Sequence, residues 1–186
     1  MNARLRRLYA DSREVQEQFG GHPLVEVSPL RGRPPEAYEV RYHVRGLELE
    51  AASQRPRVRT EHVAHLYLQD TYPREKPQCV MQTPCFHPNI GSYICIDDYW
   101  AAGERLADII IHIGEMIQYQ NYNPKSPLDP VAARWAAQNV NLFPVGNENL
   151  YQPELDIDLL GESSGGPAAP VARVAPDEDD VDIALC

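Results

Sequence analysis

No apolar stretch in this 186-residue chain approaches the 18 residues that a membrane-spanning helix needs, so a membrane partner is not expected. The N-terminal Met1-Asn2-Ala3-Arg4-Leu5-Arg6-Arg7 leads into no apolar signal segment, and a cytoplasmic protein is the expectation. There is no glycine-rich phosphate loop after a strand-like stretch, and no GxSxG. The six histidines show no HExxH spacing and the four cysteines no CxxC pair, so a zinc or other metal site is not expected. Uneven cysteine spacing without an export signal argues for thiols and against a disulfide framework. The 17 basic residues are outnumbered by 27 acidic ones, which argues against a nucleic-acid partner.

What is present fits one ordinary domain: 43% apolar residues, 24% charged, and 17 prolines, about twice the usual share. The net charge of −10 is uneven. Residues 151–186 carry −8 of it, leaving −2 on residues 1–150. Small, polar, proline-bearing residues from Gly161 to Pro170 lead into Asp177-Glu178-Asp179-Asp180. Such a segment cannot bury enough apolar surface to offset its ordering entropy. The expected organisation is therefore one folded domain over 1–160 and a disordered acidic tail over 161–186.

Leu5, Leu8, Val15 and Phe19 fall at helical spacing and predict a helix over about 3–19, stopped by Gly20-Gly21. Leu24, Val25 and Val27 predict a short strand. Tyr38, Val40, Tyr42 and Val44 alternate with polar residues and predict a second. Glu61–Leu68 predicts a third, and Gln78-Cys79-Val80-Met81 a fourth. After an irregular stretch from Thr83 to Gly103, Leu106, Ile109, Ile110, Ile113, Met116 and Ile117 trace one face of a buried helix. Asp129-Pro130 reads as an N-cap with proline at the first helical position of another. A helix, four antiparallel strands in a meander, an irregular segment and C-terminal helices make an α+β domain.

The irregular segment contains Cys85-Phe86-His87-Pro88-Asn89-Ile90 and then Ile94-Cys95-Ile96-Asp97. A cysteine in a loop punctuated by glycine and proline can be exposed and reactive, whereas one inside a strand, such as Cys79, is ordinarily inert packing. The order of landmarks is more specific. Tyr72-Pro73, Pro77, Phe86 to Ile90, Ile94 to Asp97, Trp100, the apolar helix, Asn123-Pro124, Pro127-Leu128 and Ala132-Ala133 together resemble the core of the ubiquitin-conjugating enzymes. The resemblance is dense over 60–140.

That resemblance implies a role for each matching residue. Cys95 accepts the C-terminal glycine of a ubiquitin-like protein from an activating enzyme as a thioester. Asn89 donates its amide to the oxyanion formed when a target amine attacks. His87, with Pro88, braces the loop, and Asp97 supports it. Tyr122 to Leu128, including Ser126, overhangs the site. Arg4, Arg6 and Arg7 face the activating enzyme. Thiol–thioester exchange needs an accessible thiolate but neither metal nor strong base, which suits the missing dyad. For Asn89 a loop-holding role stands beside the oxyanion role, and both can hold.

The chain also departs from the family. Only five residues separate Asn89 from Cys95, and Lys125-Ser126 occupies the place of an acidic residue. Ala101-Ala102-Gly103 stands for Ser-Pro-Ala, and Arg74 for phenylalanine. These departures resemble conjugating enzymes of bacterial ubiquitin-like pathways with antiviral roles. The alternatives are a non-catalytic binding module on the same fold, and a redox or metal protein using Cys79, Cys85 and Cys95.

Overall fold

The computed structural model describes residues 2–96 and 99–151. Asp97 and the acidic tail expected over 161–186 lie outside them. Helix α1 spans Ala3–Phe19, as its periodicity requires, and is capped by Asn2, whose side chain accepts from Leu5 N at 2.7 Å. It stops at Gly20, and Gly21 takes φ +78°, a conformation that favours glycine. Its buried face is Leu8, Asp11, Val15 and Phe19. The acidic residue in that stripe escapes a reading by hydrophobicity.

Four strands form one antiparallel sheet in the order β1-β2-β5-β6: β1 Val25–Arg31, β2 Ala37–Tyr42, β5 His62–Tyr67 and β6 Gln78–Met81. Each neighbour in the sheet is the next of these four along the chain, so the expected meander is present. Strand β1 runs further than its sequence suggests because Pro29 sits on an edge, where a missing N–H is tolerated, and the register shifts beside it. Between β2 and β5 lies a hairpin that the sequence reading did not anticipate, β3 Gly46–Leu49 with β4 Pro56–Arg59. Its burial pattern does not alternate. Glu48 is buried and grips Arg57 and Arg59, while Val58 is exposed.

Helix α2, Leu106–Ile117, buries all six expected apolar residues and also Ala107, Ile111 and Gly114. The Tyr42 hydroxyl donates to Ile110 O at 2.9 Å, fixing the helix against the sheet. A Cβ at Gly114 would overlap Leu150 Cδ1 and press on Tyr42, so this crossing needs glycine. Helix α3, Pro130–Gln138, starts as expected, with Asp129 accepting from Val131 N and Ala132 N. A second cluster of Leu47, Phe86, Tyr119, Ala132 and Ala136 lies apart from the main core, with Tyr122, Trp135 and Phe143 around it. That aromatic cluster underlies the irregular segment.

Candidate active site

Residues 85–96 contain no regular element, so their backbone groups must be satisfied elsewhere. Phe86 N donates to Leu47 O, Ile94 N to Cys79 O, and Cys95 N to Asn89 O at 2.9 Å. The Pro88 carbonyl accepts from both Leu128 N (2.8 Å) and Asp129 N (3.0 Å), tying this segment to the start of α3. A loop held by main-chain bonds at this density presents its side chains in fixed places.

His87 is fully buried. Its Nδ1 accepts from Asn89 N at 3.1 Å, which puts the ring proton on Nε2, where it donates to Asn121 O at 3.2 Å. Burial pushes its pKa down to about 3, with a backbone acceptor at Asn121 opposing and His112 adding to the shift. The ring is therefore neutral near pH 7, and its edge packs on Tyr119, with centroids 4.7 Å apart.

The Asn89 amide has one orientation that satisfies its neighbours. Oδ1 accepts from Asn123 N at 2.6 Å, while Nδ2 donates to Asn123 O at 2.9 Å and Ser126 O at 3.3 Å. The reverse orientation would set an oxygen against two carbonyls. Both amide hydrogens thus hold the loop at 121–128, the looser of the two bonds going to Ser126. Asn89→Ala removes three hydrogen bonds and leaves the Asn123 N–H without its acceptor. We expect a loss of about 1–3 kcal/mol, read from urea unfolding. An unchanged midpoint would show that the bracing contributes nothing.

The loop is also anchored from below. Tyr119 follows α2 at φ +60°, unusual for a residue other than glycine. Tyr119 N bonds Met116 O and Gln120 N bonds Glu115 O, the pair of bonds that closes a helix on a left-handed residue. The strain is compensated by the side chain. Its hydroxyl donates to Phe86 O at 2.7 Å, and its ring stacks on Phe143 with centroids 4.4 Å apart. Tyr122 packs against both rings.

Above this support lies a groove of about 320 Å³. Cys95 and Asn89 line it with Tyr122, Asn123 and Ser126, and Tyr99 and His112 are among the other residues of its wall. Cys79, Cys85 and Cys95 are all thiols, but only Cys95 reaches this groove. Burial pushes the Cys79 and Cys85 thiols up to about 12, which keeps them protonated and unreactive near pH 7. Among the described residues, these thiols do not gather with other donors into a metal-holding group.

Cys95, Asn89, His87, Pro88, Tyr122 and Ser126 therefore converge on one site. Arg4, Arg6 and Arg7 of α1 do not join it. Arg4 bonds Glu36 at 2.8 Å and Leu68 O at 2.9 Å. Arg7 is tied to Asp11, Tyr72, Ala102 O and Glu104 O. Arg6 is exposed. The sequence reading missed Tyr99, His112, Tyr119 and Asn123. Asn123 lay inside the overhanging segment, but its bonds to Asn89 run through its main chain, which residue identity does not reveal.

The N-terminal helix, four-stranded antiparallel sheet and C-terminal helices match the fold of solved proteins. One is a structure described as a novel ubiquitin-conjugating enzyme, with TM-score 0.54 and 18% identity, covering 75% of this chain and 89% of that one. The fold is the ubiquitin-conjugating fold. The E2 domain of a Toxoplasma gondii ubiquitin conjugating enzyme aligns similarly, with TM-score 0.52 and 20% identity over 76% of this chain and 92% of that one. Residues 58–146 also match the family model for ubiquitin-conjugating enzymes. The match begins within β4 and runs past α3, so it contains the whole groove, whereas α1 to β3 belong to the ubiquitin-conjugating fold by architecture alone. Among the described residues, no helix is long and apolar enough to cross a membrane.

Proposed function

We propose that this chain is a ubiquitin-conjugating enzyme: Cys95 takes a ubiquitin-like protein from an activating enzyme as a thioester and passes it to an amine on a target protein. The observation that carries this reading is the position of Cys95, the one described thiol on the groove that Asn89 and the 121–128 loop also line. The attacking amine must be neutral, and a partly enclosed groove favours that form by desolvation. Asn89 holds the overhanging loop and, by releasing its longer bond to Ser126 O, can turn one N–H to the developing oxyanion. The enzyme needs no cofactor of its own, since the activating enzyme spends the ATP.

The same reading places the protein in the cytoplasm. The departures at Arg74, Ala101-Ala102-Gly103 and Lys125-Ser126 support a bacterial ubiquitin-like pathway with a role in antiviral defence. Arg4, Arg6 and Arg7 lie on α1, the helix that would face an activating enzyme; Arg6 is exposed, and Arg4 and Arg7 also make internal contacts.

The test is incubation with the cognate activating enzyme, its ubiquitin-like protein and ATP. A reductant-sensitive adduct is expected, absent from Cys95→Ala and reductant-resistant in Cys95→Ser, where an oxyester replaces the thioester. An adduct that persists in Cys95→Ala would remove Cys95 from the reaction.

A further inference from the structure

One polar side chain interrupts the apolar run of α2 where the helix passes the groove. The His112 ring lies face to face on Tyr99, with centroids 4.1 Å apart and planes 3° from parallel. Its Nδ1 is shut off from solvent and makes no hydrogen bond. The carboxylate nearest to it is Glu115, with Oε2 at 3.9 Å, and Asn121 Nδ2 holds that oxygen at 2.6 Å. The Asn121 carbonyl in turn receives the His87 proton. His112 is thus fixed in plane by Tyr99 and backed by a carboxylate that the His87 loop keeps in place. A buried ring nitrogen without a partner destabilises a fold, so packing does not explain a histidine here.

His112 lines the groove, and with Nδ1 turned toward Glu115 its Nε2 is the ring nitrogen left to take a proton. Cys95 and Asn89 line the same groove. Among the described residues, no carboxylate lines it, and Lys125-Ser126 stands on the overhanging loop where an acid could have served. Burial lowers the His112 pKa and keeps the ring in the form that can accept a proton.

We propose that His112 is the proton acceptor for the nucleophile that attacks the Cys95 thioester, an assignment that rests on the function proposed above. The amine nitrogen bonds to the thioester carbonyl carbon, and the carbon–sulfur bond to Cys95 breaks. The sulfur leaves with the electron pair as a thiolate. The surplus proton on nitrogen passes to Nε2 of His112, and the imidazolium returns it to the thiolate or to water. Glu115 stabilises the imidazolium while it lasts and is a positioning residue, as is Tyr99.

Four titratable groups bear on this ring. Glu115 and, one turn earlier, Asp108 lie on its own helix, and Asp108 is already paired with Arg105 at 2.6 Å. Tyr99 lies against its face, with a phenol pushed up by burial and by the acids around it. His87, in the loop opposite, stays neutral. The carboxylate of Glu115 is the charge that titration of His112 feels most directly.

The experiment uses a fluorescent peptide ending in Gly-Gly as its mercaptoethanesulfonate thioester, which charges Cys95 by thiol exchange without an activating enzyme. The adduct is then discharged with free lysine or with hydroxylamine, a nucleophile that is unprotonated at neutral pH and needs no base. In His112→Gln the ratio of lysine to hydroxylamine discharge falls about tenfold or more, within the span of general-base effects. The lysine pH profile also loses its imidazole inflection. Glu115→Gln, a change at a half-buried side chain, moves that inflection to lower pH in an otherwise intact protein. Because the ratio is taken on one adduct, partial unfolding of a variant does not imitate the effect. A smaller fall in the ratio, or a profile that neither variant moves, overturns the assignment of His112 alone. Failure of the unsubstituted chain to take the peptide onto Cys95 overturns the proposed function and this assignment with it.

Discussion

Asp11→Ala is expected to destabilise the fold by about 3–5 kcal/mol, the range for removing one partner of a buried ion pair. Asp11 is 2% exposed, on the face that α1 turns to the core. Its carboxylate accepts from Arg7 Nε at 2.8 and 2.9 Å and from the Tyr72 hydroxyl at 2.7 Å. Arg7 continues outward to Ala102 O at 3.0 Å and to Glu104 O, and its guanidinium lies 5.4 Å from the Tyr72 ring centroid. Removing the carboxylate leaves a guanidinium partly enclosed with only neutral partners and the Tyr72 hydroxyl without an acceptor. For a domain of this size the melting temperature should fall by roughly 10 °C. Asp11→Asn, which keeps an acceptor for Tyr72, should cost less. A double-mutant cycle with Arg7→Met should show coupling well above 1 kcal/mol. A drop below 1 kcal/mol in Asp11→Ala would mean that water replaces the carboxylate and the network is peripheral.

That network also reaches the site. Residues 101–104 connect the Cys95–Trp100 stretch to α2, and Arg7 holds two of their carbonyls. Trp100 packs on Tyr72, with centroids 5.7 Å apart, so the phenol contacted by Asp11 also supports the segment that follows the Cys95 loop. The sequence shows three arginines near the start of α1, and a partner-facing role followed naturally from charge. Periodicity could have said otherwise for one of them. Asp11 sits one turn after Arg7 and one turn before Val15, inside the buried stripe, and an acid in a stripe asks for a base beside it.

Elements set by local chemistry were legible in the chain. The glycine stop of α1, the cap of α3 and the apolar stripe of α2 need no knowledge of neighbours, and β2 alternates cleanly. The hairpin β3–β4 escaped because Glu48 is buried beside Leu47 while Val58 is exposed, which breaks the alternation that marks a strand. Arg59 and Arg57 make that burial possible, holding the Glu48 carboxyl below its usual range through the Arg59 hydrogen bond first. At the site, Cys95, Asn89 and His87 stand out by residue type and spacing. Their partners do not, because Asn89 and His87 bond main-chain atoms of Asn121, Asn123 and Ser126. A carbonyl has no letter in the sequence. Tyr119 was hidden for a related reason, since a left-handed position occupied by tyrosine is revealed only by the backbone.

Acidification from pH 7 to pH 4.5 is expected to cost the fold about 3 kcal/mol through His87 alone. Burial, the main cause, holds its folded pKa at about 3, whereas an unfolded histidine titrates near 6.5. Between those values the unfolded chain binds a proton that the native chain refuses. Stability is therefore fully present above about pH 6.5 and falls by about 1.4 kcal/mol per unit toward pH 3. His62, pushed down to about 4 by burial, acts with the same sign in the same window, and burial of His22 and His112 adds to it. Glu115, raised by burial, acts with the opposite sign. Urea midpoints at pH 7.5, 6.0 and 4.5 measure the sum. His87→Gln isolates one part of it: the variant should be less stable at pH 7.5 yet decline less steeply. Parallel decline in both proteins would show that the buried neutral ring is not the cause. Protonation at Nδ1 removes the acceptor for Asn89 N–H while Nε2–H still donates to Asn121 O, so it first frees the Asn89 main chain, whose side chain braces the 121–128 loop. Amide exchange should accordingly quicken at residues 87–96 and 121–128 at a pH where the sheet is still protected.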